Sequence, residues 1–382
     1  MAGDAVSAAS HRVHGLAGDE AAPDWAPIED AEAQRLLRAW PDLHGDARVT
    51  WRSPRPFSAA ARVRAGNAEV FVKRHHPAVR GVADLREEHA FMAHLRRRGV
   101  PIPAVLSSAG GDTAVTMDGW TWEVHALAEG IDLHRERMSW SPPEAPEQAR
   151  HAGRMLACLH RAAADYVAPP RAGFMLMARA DLLRAPDLFD ALQRQLPRRP
   201  ALADYLRQRD WRVELADVAA RQRAVQPRLA ALPRCWTHGD WHVSNLCWSD
   251  AGPAARVTDV LDFGLATKTF ALFDLATAIE RNAIAWTALE RGADAVRPRI
   301  AEALLAGYAE LLPLPAEART LLAALLPVVH LDFALSEVEY YHGVTHSDAN
   351  ADVAWNAFLR GHAAWFDTAP GRALLETVRG NG

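Results

Sequence analysis

The sequence predicts an α+β fold in which a small, β-rich N-terminal lobe precedes a larger, mainly helical C-terminal lobe. Short runs rich in β-branched and aromatic residues are concentrated before residue 126, with one helical pattern among them. Helical patterns dominate afterwards, apart from a β-rich run at 256–264. We therefore expect a flexible tail over 1–27, a first lobe over 28–126 and a second lobe over 127–382.

The first lobe is predicted to contain five strands and one helix, following a short helical pattern at 30–40. Gly66-Asn67 is a turn signal between the second and third strands, and Gly99 is expected to end the helix at 84–99. The predicted strands are 47–53, 59–66, 68–76, 113–118 and 120–127. The predicted helices of the second lobe are 143–166, about 180–194, 199–224, 270–290, 297–312 and 317–342.

Composition excludes several classes of function. The 382 residues carry a formal net charge of −4, so bulk charge does not indicate a nucleic-acid or membrane-surface partner. No apolar run reaches the length of a membrane-spanning helix, and the first 25 residues lack a signal-peptide pattern. Three cysteines without paired spacing indicate a reducing compartment. We expect a cytoplasmic protein; its oligomeric state stays open.

Lysine is rare, which makes Lys73 conspicuous. Of 43 basic residues, Lys73 and Lys268 are the two lysines, and lysine offers a compact charge where arginine offers a planar fork. The next helix places Glu88 on its inward stripe with Leu85 and Met92, where a carboxylate needs a partner. A strand lysine paired with a helix glutamate is how kinases hold the α- and β-phosphates. The alternative is a solvated lysine and an unrelated helix-face acid.

The stretch "CWTHGDWHVSNLCWSD" at 235–250 has a second kinase-type pattern. Asp240 and Asn245 have the spacing of H-x-D-x-x-x-x-N, in which the Asp accepts the proton of an attacking hydroxyl and the Asn holds Mg²⁺. Asp262 opens the tripeptide "DFG" that follows and would be a second metal ligand. Each motif alone is short, but their order after a lysine strand and a glutamate helix is specific.

Two other interpretations of this stretch compete. His238 and His242 are four residues apart, as two zinc ligands on a helix can be, but no Glu lies between them and no third ligand is evident. The stretch could also be a polar loop without chemistry. We favour the phosphoryl-transfer interpretation because it accounts for the neighbouring motifs as well.

With these motifs, the sequence resembles the aminoglycoside phosphotransferase and choline-kinase superfamily from about residue 46 to 290. "HGDWHVSNL" is similar to that family's HGD-x-x-x-x-N loop, and "VLDFGLATKTFALFDLATAI" to its D-[FW]-G/E strand and "DLA" helix. Within the superfamily it most resembles the type II homoserine kinase and hydroxylysine kinase branch, and "FVKRHHP" is also similar to bacterial stress-response kinases. The resemblance implies a protein-kinase-like bilobal fold whose first lobe binds the nucleotide.

The resemblance also implies roles for individual residues. Asp240 would be the catalytic base, Asn245 and Asp262 would hold Mg²⁺, and Lys73 and Glu88 would orient the phosphates of ATP. Further implied residues are Asp274, as a brace of the catalytic loop, and Glu123 and His125, near a hinge that carries adenine on its backbone.

The sequence departs from a protein kinase at two places. The loop expected to cover the phosphates, "SPRPFSAAARV", has no glycine, although the small residues Ser58, Ala59 and Ala60 would let the backbone approach them. No "APE" follows "DFG", and the chain runs almost directly into the next helix. Both departures favour a small-molecule acceptor over a peptide.

We therefore expect an ATP- and Mg²⁺-dependent phosphotransferase that acts on a hydroxyl of a small molecule, of the amine, amino acid, amino sugar or aminoglycoside type. The alternatives are a stress-response-type protein Ser/Thr kinase and a nucleotide-binding pseudoenzyme. Retention of all five motif residues argues against the pseudoenzyme.

The acceptor side has one candidate acidic feature. Asp332, Ser336 and Glu339 fall on one stripe of the predicted helix at 330–343, and two acids on one face repel unless a cation lies between them. By the resemblance, this stripe would hold a cationic amine beside Asp240. His242 is included as a further acceptor-contacting candidate. The alternative is a solvated helix face.

Overall fold

The computed structural model describes residues 24–55, 57–135, 137 and 141–380. Most of the expected tail lies outside these residues. Its last part, 24–27, packs against the fold: the indole of Trp25 donates to the carbonyl of Phe57 at 3.2 Å and stacks on His76. The tail prediction therefore does not extend to Trp25.

The first lobe is an antiparallel sheet in the order β1-β2-β3-β5-β4 with two helices. Its elements are α1 (Asp30–Leu37), β1 (Ala47–Arg52), β2 (Ala59–Ala65), β3 (Ala68–His75), α2 (Val82–Arg97), β4 (Ala114–Met117) and β5 (Trp120–Ala126). One face of the sheet packs with α1 and Trp40 in a small apolar core that includes Val63, Val72 and Val124. The opposite face is turned toward α2.

Local sequence sets the limits of α2. The backbone N–H of Gly81 donates to the Asp84 carboxylate at 2.8 Å, which satisfies a free donor at the N-terminus of the helix. Gly99 follows the helix with φ +85°, a left-handed conformation that glycine adopts without steric cost. Phe91, in the middle of α2, is fully buried and belongs to the core of the helical lobe. The helix therefore joins the two lobes.

The second lobe is mainly helical, with two short strand pairs. Its helices are α3 (Pro146–Ala163), α4 (Asp181–Arg184), α5 (Leu188–Gln195), α6 (Pro200–Arg207), α7 (Trp211–Glu214), α8 (Ala216–Ala231), α9 (Ala271–Ala283), α10 (Pro298–Ala309), α11 (Ala316–Leu325), α12 (Leu331–Gly343), α13 (Asp348–Val353), α14 (His362–Trp365) and α15 (Ala369–Arg379). Shorter helical turns are Leu196–Arg198, Val243–Asn245, Trp286–Ala295, Leu326–Val328 and a π-helical segment, Ala354–Gly361.

The backbones of α3 and α10 approach each other closely because glycines lie at the contact. A Cβ on Gly153 would lie 2.0 Å from the Leu304 carbonyl oxygen, and one on Gly307 would lie 1.9 Å from that of Arg150. A larger residue at either position would force the helices apart.

Two strand pairs position the polar motifs. β6 (Cys235–Thr237) pairs with β9 (Thr267–Thr269), and β7 (Leu246–Trp248) pairs with β8 (Val257–Val260). The loop with Asp240 connects β6 to β7, and the loop with Asp262 connects β8 to β9. The two loops therefore emerge side by side.

The α+β class and the two-lobe arrangement are confirmed, but several helical predictions need correction. The helices expected at about 180–194 and at 317–342 are each divided in two, as α4 and α5 and as α11 and α12. The helix expected at 199–224 is three helices, since the polar run at 208–210 turns the chain and directs Trp211 into the core. The helices after residue 343 were not predicted. The boundaries of the lobes stay a prediction.

One stretch, Ala316–Gly343, is long and apolar enough to cross a membrane by composition, and 94% of its most apolar window is buried inside the fold. It comprises α11 and α12, whose apolar residues form part of the main core. Core packing accounts for its composition.

Candidate active site

A cavity lies between the first lobe and the two polar loops. It is bordered by the β2–β3 side of the sheet, by the segment Ala126–Ala128 after β5, and by the loops that follow β6 and β8. Six of the residues chosen from the sequence line it: Ser58, Lys73, Glu88, His125, Asn245 and Asp262. Asp132 and Arg135, which were not predicted, line it as well.

Lys73 and Asp262 face each other across this cavity. The Lys73 ammonium lies 3.3 Å from Oδ1 of Asp262, which also accepts from the N–H of Gly264 at 3.3 Å. Burial alone would raise the pKa of Asp262, but the charge of Lys73 outweighs it and holds the pKa at about 2. Asp262 has φ +53°, which is uncommon for a residue with a side chain and is typical of functional sites.

Glu88 does not form the expected ion pair with Lys73. Among the described residues, the ion-pair partner of Lys73 is Asp262, whereas Glu88 lies 3.7 Å from the Arg171 guanidinium. Glu88 is 3% exposed, and its Oε2 has no hydrogen bond in the structure. Its charge still acts on Lys73: burial would lower the pKa of Lys73, but Asp262, Glu123 and Glu88 together raise it. The pairing prediction is therefore corrected to a longer-range interaction.

Glu123 occupies a different place from the one expected. It is directly opposite Lys73 in the β3–β5 register, but it is buried and does not line the cavity. Its carboxylate contacts three histidines, His75, His89 and His125. The backbone beside the cavity that could carry an adenine is that of Ala126–Ala128, just after these residues.

Asp240 and Asn245 are tied together. The Asn245 amide nitrogen donates to the backbone carbonyl of Asp240 at 3.0 Å and to its Oδ2 at 2.9 Å. Both bonds are made by the amide nitrogen. The amide oxygen, the type of atom that a magnesium ion prefers, therefore stays available as a ligand. The backbone carbonyl of Asn245 accepts from Leu261 N–H at 2.8 Å, which connects this loop to the one with Asp262.

Helix α9 braces the catalytic loop. Asp274 accepts from the N–H groups of His238 at 2.7 Å and Gly239 at 2.6 Å, as predicted. Two turns later, Asn282 accepts from Val243 N–H at 2.9 Å and donates to the Trp241 carbonyl at 3.0 Å. Three bonds to backbone N–H groups and one to a carbonyl therefore fix the loop conformation from one helix face.

The zinc interpretation of His238 and His242 is wrong, because both ring nitrogens of His238 are used. Its Nε2 lies 2.8 Å from the Leu261 carbonyl, and its Nδ1 accepts from Asp240 N–H at 3.2 Å. This pattern fixes a neutral tautomer, and burial lowers the pKa of His238 further. His242 lies beside Asp240, with Nε2 at 3.5 Å from Oδ1.

Arg281 is a site residue that sequence reasoning missed. Its guanidinium is ion-paired with Oδ1 of Asp240 and lies over the ring of Phe333 at 5.2 Å. A signal was available, because Arg281 follows Asp274 by seven residues and so falls on the same face of α9. Burial lowers the pKa of Arg281 to about 10, where the guanidinium stays charged at neutral pH.

Arg80 and Arg171 were also missed. Both are buried and donate to the Gly264 carbonyl, at 2.6 Å and 2.9 Å, just after Asp262. Arg171 donates as well to the Asp84 carbonyl in α2 at 3.1 Å. These bonds connect α2 to the Asp262 loop, and no local pattern marks two arginines among 41 for this role.

The acidic stripe of α12 does not face Asp240. Glu339 is ion-paired with Arg199 at 2.7 Å, and Asp332 accepts from Leu182 N–H at 3.3 Å. The solvated alternative is wrong too, since both acids are 5% exposed. The residues of α12 that face Arg281 are Phe333 and Glu337, from a different stripe.

Several solved structures have a similar fold but are distant from this chain in sequence. The microcompartment-associated aminopropanol kinase is 19% identical, with a TM-score of 0.56 over 90% of this chain and 99% of its own. An aminoglycoside phosphotransferase from Alicyclobacillus acidocaldarius is 18% identical, with a TM-score of 0.52 over 93% and 97%. An amicoumacin kinase is 12% identical, with a TM-score of 0.57 over 91% and 93%. At these identities the likeness establishes the fold.

A family model establishes more than the fold. No curated protein matches the chain. The model of the aminoglycoside-phosphotransferase type, described as the phosphotransferase enzyme family, matches residues 56–321, well over half of the chain. That range includes Lys73, the Asp240 loop, the Asp262 loop and α9. The resemblance to the homoserine kinase branch stays a prediction. The match over this range shows that the chain belongs to the phosphotransferase enzyme family.

Proposed function

We propose that the protein transfers the γ-phosphate of ATP to a hydroxyl group of a small molecule, with Mg²⁺ as the metal. The observation that carries this proposal is that Lys73, Asp262 and Asn245 line one cavity, and that Asn245 is hydrogen-bonded to Asp240. An amicoumacin kinase with this fold was solved with AMP-PNP, and a spectinomycin phosphotransferase with ADP. Both support an adenine nucleotide as the donor.

The donor set fits a magnesium–nucleotide complex. The Asn245 amide oxygen and the Asp262 carboxylate are hard oxygen ligands, and Lys73 supplies a compact positive charge between them and the sheet. When bound, the metal would neutralise charge on the transferred phosphoryl group. Ser58, on the loop before β2, lines the same cavity and would contact the phosphates.

Asp240 would accept the proton of the acceptor hydroxyl. Asn245 holds Oδ2, so Oδ1 is the oxygen that faces Arg281 and His242 and would face the acceptor. We therefore place the acceptor next to Arg281 and His242.

The class of acceptor remains that of amines, amino acids, amino sugars and aminoglycosides. The acids expected to recognise an amine, Asp332 and Glu339, have other partners. Glu280 and Glu337 are further acids beside Arg281, and both are almost fully buried. An amine would reach them only if Arg281 moved, whereas the Arg281 guanidinium itself would pair with the carboxylate of an amino acid, so both kinds of acceptor stay in the proposed class.

A screen for ADP release tests the proposal. The purified protein, ATP and Mg²⁺ are combined with hydroxyl-bearing amines, amino acids, sugars and aminoglycosides, and each hit is repeated with Asp240→Asn and with Asp217→Asn, an exposed acid in α8. We expect acceptor-dependent ADP release by the wild type and the Asp217 variant, and little by the Asp240 variant. Acceptor-dependent release that survives in Asp240→Asn would contradict the proposed base.

The same assay separates the two alternatives. Phosphate transfer to casein-type proteins without any small-molecule hit would favour a protein kinase. Nucleotide-dependent stabilisation without ADP release would favour a pseudoenzyme, and the ion pair that Asp240 makes with Arg281 would then be its resting arrangement.

A further inference from the structure

The space between α2 and the sheet, behind the nucleotide cavity, contains a charged cluster where a hydrophobic core would be expected. Glu123 is 1% exposed, and its carboxylate is surrounded by imidazoles from three different elements. Nε2 of His89 lies 2.7 Å from Oε2, Nε2 of His125 lies 2.9 Å from the same oxygen, and Nε2 of His75 lies 2.9 Å from Oε1. Three ring nitrogens therefore converge on one buried carboxylate.

The contact made by His125 is not a hydrogen bond. Its Nε2 is buried and has no hydrogen-bond partner in the structure, although it lies 2.9 Å from Glu123. The residue is 8% exposed, and a buried polar atom without a partner is costly. The nitrogen and the carboxylate oxygen are therefore close enough to share a ligand but are not aimed at each other.

The neighbouring bonds hold the other groups in the right state for a metal. His89 Nδ1 lies 2.8 Å from the Thr113 hydroxyl, so donation there leaves the Nε2 lone pair for an ion. His75 can donate to Oε1 and so keep Oε2 as the coordinating oxygen. Such outer partners orient the ligands in known metal sites.

We propose that His89, Glu123 and His125 bind a divalent transition-metal ion, zinc above all, in the first lobe. Their ligand atoms all lie within 4.8 Å of one another. Two nitrogens and a carboxylate oxygen are ligands that zinc takes, and atoms bound to one tetrahedral zinc are about 3.3 Å apart. The fourth position would be taken by water.

The local charges are compatible with such an ion. Glu123 and the nearby Glu88 are both buried acids, and Lys73 is directed to Asp262 on the other side. Glu88 already has the Arg171 guanidinium at 3.7 Å, so Glu123 is the acid whose charge a divalent ion would compensate.

The position of the site indicates what the ion would do. His89 lies on α2, whereas Glu123 and His125 lie on β5, and His125 also lines the nucleotide cavity. A metal bound by all three would fix α2 against the sheet next to Lys73. This contact would compensate for the absent Lys73–Glu88 ion pair, and it is independent of the proposed function.

The test is a zinc titration of the full chain against a chromophoric chelator, with Mg²⁺ in large excess so that the Asn245–Asp262 position does not compete. We expect one zinc per chain and at least a roughly tenfold weaker affinity in His89→Gln and His125→Gln. His94→Gln, a change elsewhere on α2, and Asp262→Ala should bind zinc as the wild type does. Absence of stoichiometric binding, or equal affinity in the two cluster variants, would overturn the proposal.

A second measurement does not depend on the variants folding. Co²⁺ added to the wild-type protein should give the intense visible absorption of a tetrahedral site. The weak absorption of an octahedral ion would show that the metal binds elsewhere, and it would overturn the proposal.

Discussion

The guanidinium of Arg281 is ion-paired with the carboxylate of Asp240, the residue that the H-x-D-x-x-x-x-N motif marks as the base. Both side chains are largely buried, at 5% and 14% exposure. The guanidinium contacts Oδ1, the oxygen proposed to face the acceptor, and so holds the carboxylate in place. Arg281 is therefore a positioning residue for the proposed base.

Removal of this contact should slow the reaction without changing nucleotide binding. In Arg281→Met, we expect kcat/KM for the acceptor to fall at least about tenfold, because the carboxylate of the proposed base is no longer held in position. Arg281→Lys should restore part of the difference, since it keeps a cation beside Asp240. The measurement is kcat/KM for the acceptor found in the screen, together with the dissociation constant of ATP.

Arg291→Met, a change at an exposed arginine, is the control for this series. Melting temperatures of all three variants separate a loss of fold from a change in the base. An unchanged kcat/KM for the acceptor in Arg281→Met would show that Arg281 only packs against Phe333.

Replacement of the base itself should act on chemistry and not on nucleotide binding. Asp240→Asn keeps the shape of the side chain but cannot accept a proton, so kcat should fall about 10²–10⁴-fold. The dissociation constant of ATP, measured by calorimetry with Mg²⁺ present, should stay within about a factor of three of the wild-type value, since Asp240 is not among the residues that line the cavity. Near-normal turnover would remove Asp240 from the mechanism.

Lys73 should not tolerate arginine. Its side chain is 13% exposed, and its ammonium lies between the sheet and Asp262. A guanidinium is wider and requires a planar arrangement of acceptors. We expect Lys73→Arg to lose at least about tenfold in kcat/KM for ATP although the charge is kept. Lys268→Arg, at the second lysine of the chain, is the matched control. Full activity in Lys73→Arg would mean that Lys73 does not contact the phosphates.

Local sequence patterns predicted the elements of the first lobe well. The bounds of β3, predicted from its alternating apolar residues, and the end of α2, predicted from Gly99, lie within two residues of the observed ones. The polar run before Trp211 was not recognised as a helix break, because its effect depends on the burial of Trp211 in the folded chain.

The site was predictable where its residues are close in sequence. Asp240 and Asn245 were predicted from motif spacing and Asp274 from the family resemblance, and Arg281 could have been found from the helical repeat. The histidines around Glu123 could not, since His75, His89 and His125 come from β3, α2 and β5 and meet only in the folded lobe. For the same reason the stripe of Asp332 and Glu339 was assigned to the wrong neighbour.

The last prediction concerns the buried acid Glu280, which lies 3.2 Å from the His362 ring. Burial, reinforced by the charge of Glu337, raises the pKa of Glu280 to about 8. In the unfolded chain a glutamate ionises near pH 4.3, so between about pH 4.3 and 8 the folded protein holds a proton that the unfolded chain has released. The free energy of unfolding therefore falls as pH rises through this window and levels off above it.

Glu280→Gln should remove this dependence, because the amide is neutral at every pH and its oxygen can still face His362. We expect the variant to be more stable than the wild type at pH 8 by a few kcal/mol, because each pKa unit corresponds to about 1.4 kcal/mol, and the difference to shrink toward pH 5. The measurement is urea unfolding at both pH values, with the exposed Glu302→Gln as the control. If the variant is less stable than the wild type at pH 8, Glu280 is ionised in the folded protein and stabilises Arg281 by its charge.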